Sequence, residues 1–190
     1  MKEKNRKRTL QAMVLLALGE ATLCTGEILQ LLQCLPQESA LLSWLPLLQC
    51  FCAVLAGILL WKRLPLEQLR PFLLLSGVAL CCGMIYTAGM SRWGFALVLC
   101  QLCRVGMTAW VCGTAGQALW HRGRQRQGLY GGAVWILYGL GRIFWLISVW
   151  GILQAFWVQL LRMGSIAACV MYVIYLLWAL WTLRYPTEES

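Results

Sequence analysis

The chain has 190 residues, 61% of them hydrophobic and only 12% charged, with a formal net charge of +9. So much apolar surface excludes an ordinary soluble globule, and the gaps between apolar runs are far shorter than the roughly 50 residues a separate soluble domain needs. Asp is absent altogether, which removes aspartyl catalysis, Asp-dependent metal clusters and Asp-containing nucleotide-hydrolysis machinery.

In chain order, residues 1–9 form a basic head carrying Lys2, Lys4, Arg6, Lys7 and Arg8. Apolar runs then follow at about 10–33, 41–61, 71–90, 94–119, 128–150 and 155–183, each near or above the ~20 residues that cross a hydrocarbon core. The first is not expected to be a cleaved leader, because it is too long, is interrupted by Glu20 and Glu27, and has no small-x-small cleavage site. Leu35-Pro36-Gln37-Glu38-Ser39 is a turn cluster, Pro71 suits a first helical position, and Ser91-Arg92-Trp93-Gly94 reads as a tight hairpin. The long last run has room for an interfacial piece before residue 160, and 184–190 form a tail with no output domain. The expected fold is all-α, a polytopic integral membrane protein with a single transmembrane domain of about six helices.

Short gaps force neighbouring spans to run antiparallel, so alternate gaps share one side of the membrane. Lys62, Arg63 and Arg70 lie in the second gap, Arg122, Arg124 and Arg126 in the fourth, and Arg184 in the tail, on the same side as the basic head. The opposite side has only Arg92. Cationic flanks stay in the cytoplasm, which predicts an N-in, C-in orientation. Trp61, Trp93, Trp120, Trp150, Trp157 and Trp181 fall at span ends, where indole prefers the headgroup boundary. The basic residues are split among short loops without a groove or an aromatic-interleaved module, so lipid headgroups rather than nucleic acid are the expected partner.

Five charges sit inside the spans: Glu20, Glu27, Arg104, Arg142 and Arg162. Each costs about 2.5–3.5 kcal/mol at a helix centre and needs a partner or a wet cavity. Glu20 and Arg104 both fall near the midplane, about 15 Å from a span end at ~1.5 Å per residue. Glu20 and Glu27 are seven residues apart and share a helix face. The expectation is that the first helix faces the fourth and fifth, with Glu20 meeting Arg104 and Glu27 near Arg142 or Arg162. Three Arg against two Glu leave a cationic excess suited to a carboxylate or phosphate. In that reading Arg104 and Arg142 hold the anionic group, and Glu20 balances them or takes up a proton. The alternative is closed structural ion pairs that fix helix register. Gly128, Gly131, Gly132, Gly139 and Gly141 make the fifth span small-sided, for tight packing or for a locally unwound segment beside Arg142.

Ten cysteines occur, nearly all inside spans, where buried Cys acts as a small hydrophobe. Cys100 and Cys103 form a C-x-x-C followed by Arg104, whose charge favours a thiolate, and Cys34 is the candidate exposed third thiol. Cys100, Cys103 and Met107 also share a helical face suited to a soft ion such as Cu(I). The only histidine, His121, lies in a basic loop, so no zinc ligand set is legible. No cofactor or resident metal site is expected.

The favoured function is a small membrane transporter, or a membrane-embedded substrate-binding subunit, for an anionic small solute, in a bacterial cytoplasmic membrane. Any energy coupling would come from another chain. Two alternatives remain: a non-catalytic scaffold, signalling or immunity-type protein with structural ion pairs, and a membrane thiol oxidoreductase using Cys100 and Cys103.

Overall fold

The structure is a computed structural model, described over residues 2–32, 40–61, 64–88, 94–121, 123–149 and 155–184, with the side chains of 2–6, 40–43, 183 and 184 outside that description. Cys34, Lys62, Arg63, Arg92, Arg122, the turn cluster at 35–39 and most of the hairpin at 91–94 therefore lie outside the described residues. Among the described residues the regular structure is helical: α1 Lys2–Leu31, α2 Ala40–Trp61, α3 Leu66–Thr87, α4 Gly94–Trp120, α5 Gln125–Val149 and α6 Ala155–Arg184. All six are long and apolar enough to cross a membrane.

Each helix packs on its neighbours in the chain, and α6 returns to pack on α1, closing a ring. Inter-helix contacts fix an up-and-down order. Gly116 near the end of α4 meets Gly128 near the start of α5, and Glu27 late in α1 meets Ser165 early in α6. The starts of α1, α3 and α5, with their basic residues, consequently share one end of the bundle.

Polarity is inverted relative to a water-soluble protein. Trp44, Phe51, Leu74, Phe95, Leu102 and Phe156 are exposed on the outside, whereas Glu20, Gln49, Gln101, Arg104, Thr108 and Arg142 are buried within. Such a surface is stable in hydrocarbon, where helices satisfy their own backbone and polar side chains turn inward. The six helices thus fit a multi-pass membrane bundle.

One boundary departs from expectation. Helix α3 begins at Leu66 after Pro65, whose φ of −58° suits a helix start, so Pro71 lies inside the helix instead of opening it. The extra turn is fixed by fully buried Leu69 and Phe72 and by Trp110, whose indole N–H donates to the Gln68 carbonyl at 2.8 Å. Helix α6 is continuous from Ala155, with no separate interfacial piece. Helix α5 is also unbroken, so its glycines serve contact rather than unwinding. A Cβ on Gly128 would sit 2.9 Å from the Gly116 carbonyl oxygen, and one on Gly141 would sit 2.6 Å from the Ala168 Cβ. Close backbone approach is what small residues permit in a membrane bundle.

Candidate functional site

The interior charges are carried by four of the six helices: Glu20 and Glu27 by α1, Arg104 by α4, Arg142 by α5 and Arg162 by α6. Heptad spacing turns Glu20 and Glu27 toward the ring interior, where they are 4% and 9% exposed. Arg142, at 1% exposed, donates from Nη1 to Glu27 Oε1 at 2.6 Å and from Nη2 to the Cys169 sulfur. Ser165 on α6 donates to the other Glu27 oxygen at 3.3 Å. Glu27 and Arg142 therefore form a closed, charge-assisted pair, the strong kind of buried contact.

Glu20 does not meet Arg104 in an ion pair. Its carboxylate accepts a hydrogen bond from Gln49 Nε2 at 2.5 Å and from the Tyr138 hydroxyl at 3.2 and 3.3 Å. The physical reason lies in α2 and α5: Gln49 and Tyr138 reach Glu20 first and leave its oxygens already satisfied. Tyr138 also lies under the Arg142 guanidinium, 5.1 Å from its ring centroid. The two carboxylates are thereby joined through one network running Gln49, Glu20, Tyr138, Arg142, Glu27, Ser165.

Arg104 is 1% exposed and stands apart from that network. It donates from Nη2 to the Pro46 carbonyl of α2 at 3.1 Å, while its Nε has no hydrogen-bond partner within the protein. The Nε of Arg162 and the Oε1 of Gln101, which is 3% exposed, are likewise unpartnered. All three residues line a cavity of about 470 Å³ in the half of the bundle holding the α1 C-terminus, and every helix contributes to its wall. Glu27, Tyr86 and Cys100 also line it. Small-molecule sites occupy about 300–1,000 Å³.

Among the described residues the opposite half is densely packed. Tyr138 and Tyr172 pack with their rings tilted by 57° and centroids 5.1 Å apart, and Met107, Val111, Leu119 and Leu176 are buried toward the α1 N-terminus. The central cavity thus ends near the bundle middle, on the side where Arg104 sits.

Of the residues singled out from sequence, Arg104, Arg162 and Glu27 line the cavity, whereas Arg142 and Glu20 stand behind it and act on it through the network. Gln49, Gln101, Tyr138 and Ser165 were not anticipated. The two glutamines were detectable as uncharged polar side chains inside apolar runs; the tyrosine and serine carried no such signal.

Cys100 lines the cavity and donates to the Ala79 carbonyl at 3.5 Å, while Cys103 is buried outside the lining. The described cysteines are all unbridged. No group of three or more His, Cys, Asp or Glu is placed to hold a metal ion among the described residues.

Comparison of the chain with protein-family models, curated proteins and solved structures finds no match. The class that fold and interior define is a multi-pass helical membrane protein with a charged core.

Proposed function

We propose that the protein is a small-solute transporter, or the membrane-embedded binding subunit of one, acting on a compact anion. The observation that carries this reading is the cavity of about 470 Å³ with two arginines, Arg104 and Arg162, whose Nε groups lack protein partners. Glu27 contributes no free charge there, because Arg142 neutralises it. The lining is therefore cationic, and guanidinium donors in a low-dielectric wall suit a carboxylate or phosphate.

In the N-in, C-in orientation favoured by the basic ends, the cavity lies in the outer half of the membrane and the densely packed half faces a bacterial cytoplasm. Arg104 and Arg162 bind the anion. Arg142 fixes the wall through Glu27. Glu20 couples occupancy to the densely packed half through Tyr138 and takes up a proton when the solute leaves. Alternating access then amounts to opening the Tyr138–Tyr172 layer.

The test is equilibrium binding and vesicle uptake of radiolabelled mono- and dicarboxylates and phosphate, using protein reconstituted in phosphatidylcholine. Arg104→Gln and Arg162→Gln are expected to lower affinity at least about tenfold, the loss of one charge-assisted contact. Glu20→Gln is expected to insert normally and lose uptake; full uptake by that variant would contradict the role assigned to Glu20.

A second reading has one observation in its favour. A groove of about 350 Å³ between α4 and α5, lined by Gly113, Gly116 and Gly132, gives a scaffold protein a small-sided face for another helix. The cationic cavity is left unused by that reading.

A further inference from the structure

Of the buried polar atoms without protein partners, three belong to residues that line the cavity, and they are not chemically alike. The Nε of Arg104 and of Arg162 are donors only, whereas Gln101 Oε1 is an acceptor. A simple anion satisfies the two guanidiniums and nothing else. It would even face the amide oxygen with like partial charge. The remaining carboxylate of the lining, Glu27, is already engaged at both oxygens, by Arg142 and by Ser165.

From this asymmetry we infer that the cavity's ligand is an organic anion bearing a hydrogen-bond donor, a hydroxyl or ammonium group, close to its acidic group, and that Gln101 is the residue that selects for it. The inference rests on the anion-binding reading and narrows its ligand class. Gln101 is three residues before Arg104 on α4, so the two share one helix face and present acceptor and donors side by side. At 3% exposed, Gln101 is held in the wall of the cavity it lines. Two arginines without a free acid favour a doubly charged ligand. The volume leaves space for a four-carbon diacid with accompanying water, each water occupying about 30 Å³.

Succinate and malate separate the two levels of the proposal, since they have the same carbon count and charge and differ by one hydroxyl. Affinity for each is measured by isothermal titration on the full chain in phosphatidylcholine nanodiscs, whose headgroup has no donor. Malate is expected to bind about tenfold more tightly than succinate, the typical worth of one well-made buried hydrogen bond. Gln101→Leu is expected to reduce that ratio to about one, through weaker malate binding. Should that variant fail to insert, Gln101→Met provides a longer, flexible replacement with the same expectation. Equal binding of malate and succinate by the parent overturns the selection by Gln101 and leaves the anion site standing. Retention of the malate preference in both variants overturns it equally. Binding of neither acid, nor of their phosphate counterparts glycerol 3-phosphate and propyl phosphate, overturns the anion site itself. Repetition in phosphatidylglycerol nanodiscs separates the sources of such a group. Loss of malate binding there assigns the site to a lipid headgroup with its own hydroxyls, and retained binding assigns it to a free solute.

Discussion

The half of the bundle around the α1 C-terminus and the half around its N-terminus are built from the same six helices but solve opposite problems. The first keeps Arg104, Gln101 and Arg162 around a cavity with polar atoms to spare. The second is densely packed around Tyr172, Val111, Leu119 and Leu176, and at the Gly116–Gly128 backbone contact. Between them lies the network from Glu20 to Glu27, in which nearly every charged oxygen is matched. Buried charge alone therefore does not mark a site: Arg142 is as deeply buried as Arg104 and each has an unpartnered Nε, yet Arg142 is paired with a carboxylate while Arg104 donates to a carbonyl and lines the cavity. The difference is one of partners.

That contrast can be broken most forcefully at the matched pair. Arg142→Leu strands the Glu27 carboxylate, and removing one member of a buried pair costs about 3–5 kcal/mol. Thermal unfolding in detergent is expected to show this loss, and the double variant Glu27→Gln, Arg142→Gln is expected to recover a large part of it, as a coupled pair should. Arg104→Gln is expected to remain within about 1.5 kcal/mol of the parent in the same assay, since one hydrogen bond is exchanged for relief of a desolvated charge.

The packing face of α5 is sharpened by its glycines. Gly141→Ala drives a methyl into Ala168 and is expected to cost about 1–3 kcal/mol through overpacking. Gly132→Ala meets nothing within 4 Å and is expected to be neutral or stabilising by up to about 1 kcal/mol, from helix propensity. A matched pair of unfolding curves checks both. Similar losses at the two positions would mean that the α5 face assigned to packing is misplaced.

A small effect is also expected at the network's middle. Tyr138→Phe deletes the hydroxyl shared by the two Glu20 oxygens and is expected to cost about 1 kcal/mol, the net worth of a neutral hydrogen bond. If Glu20 couples the halves through this residue, uptake falls further than stability does.

Much of the fold was legible because bilayer crossing imposes a length and an apolarity that a sequence displays openly. Helix ends were less so. Pro71 looked like a helix start, but Leu69 and Phe72 bury completely against the bundle and extend α3 back to Pro65. Charges such as Glu27 and Arg142 announced themselves by insertion cost, and their contact follows from matching depth. The preference of Glu20 for Gln49 and Tyr138 over Arg104 was hidden, because uncharged hydrogen-bond partners have no insertion signature and their choice depends on helix rotation within the ring. Likewise, nothing in the order of residues says which of three arginines is left facing open space.

The most direct test of a cationic, accessible cavity uses Cys100, the cysteine among those described that lines it. In a variant retaining only this cysteine, the reaction rate with a sulfonate-bearing methanethiosulfonate is compared with that of a trimethylammonium-bearing one. The account predicts faster reaction with the anionic reagent, slowed saturably by a bound dicarboxylate and reversed in preference by Arg104→Gln with Arg162→Gln. A Cys100 that reacts with neither reagent, as expected of fully buried Cys169, would contradict it.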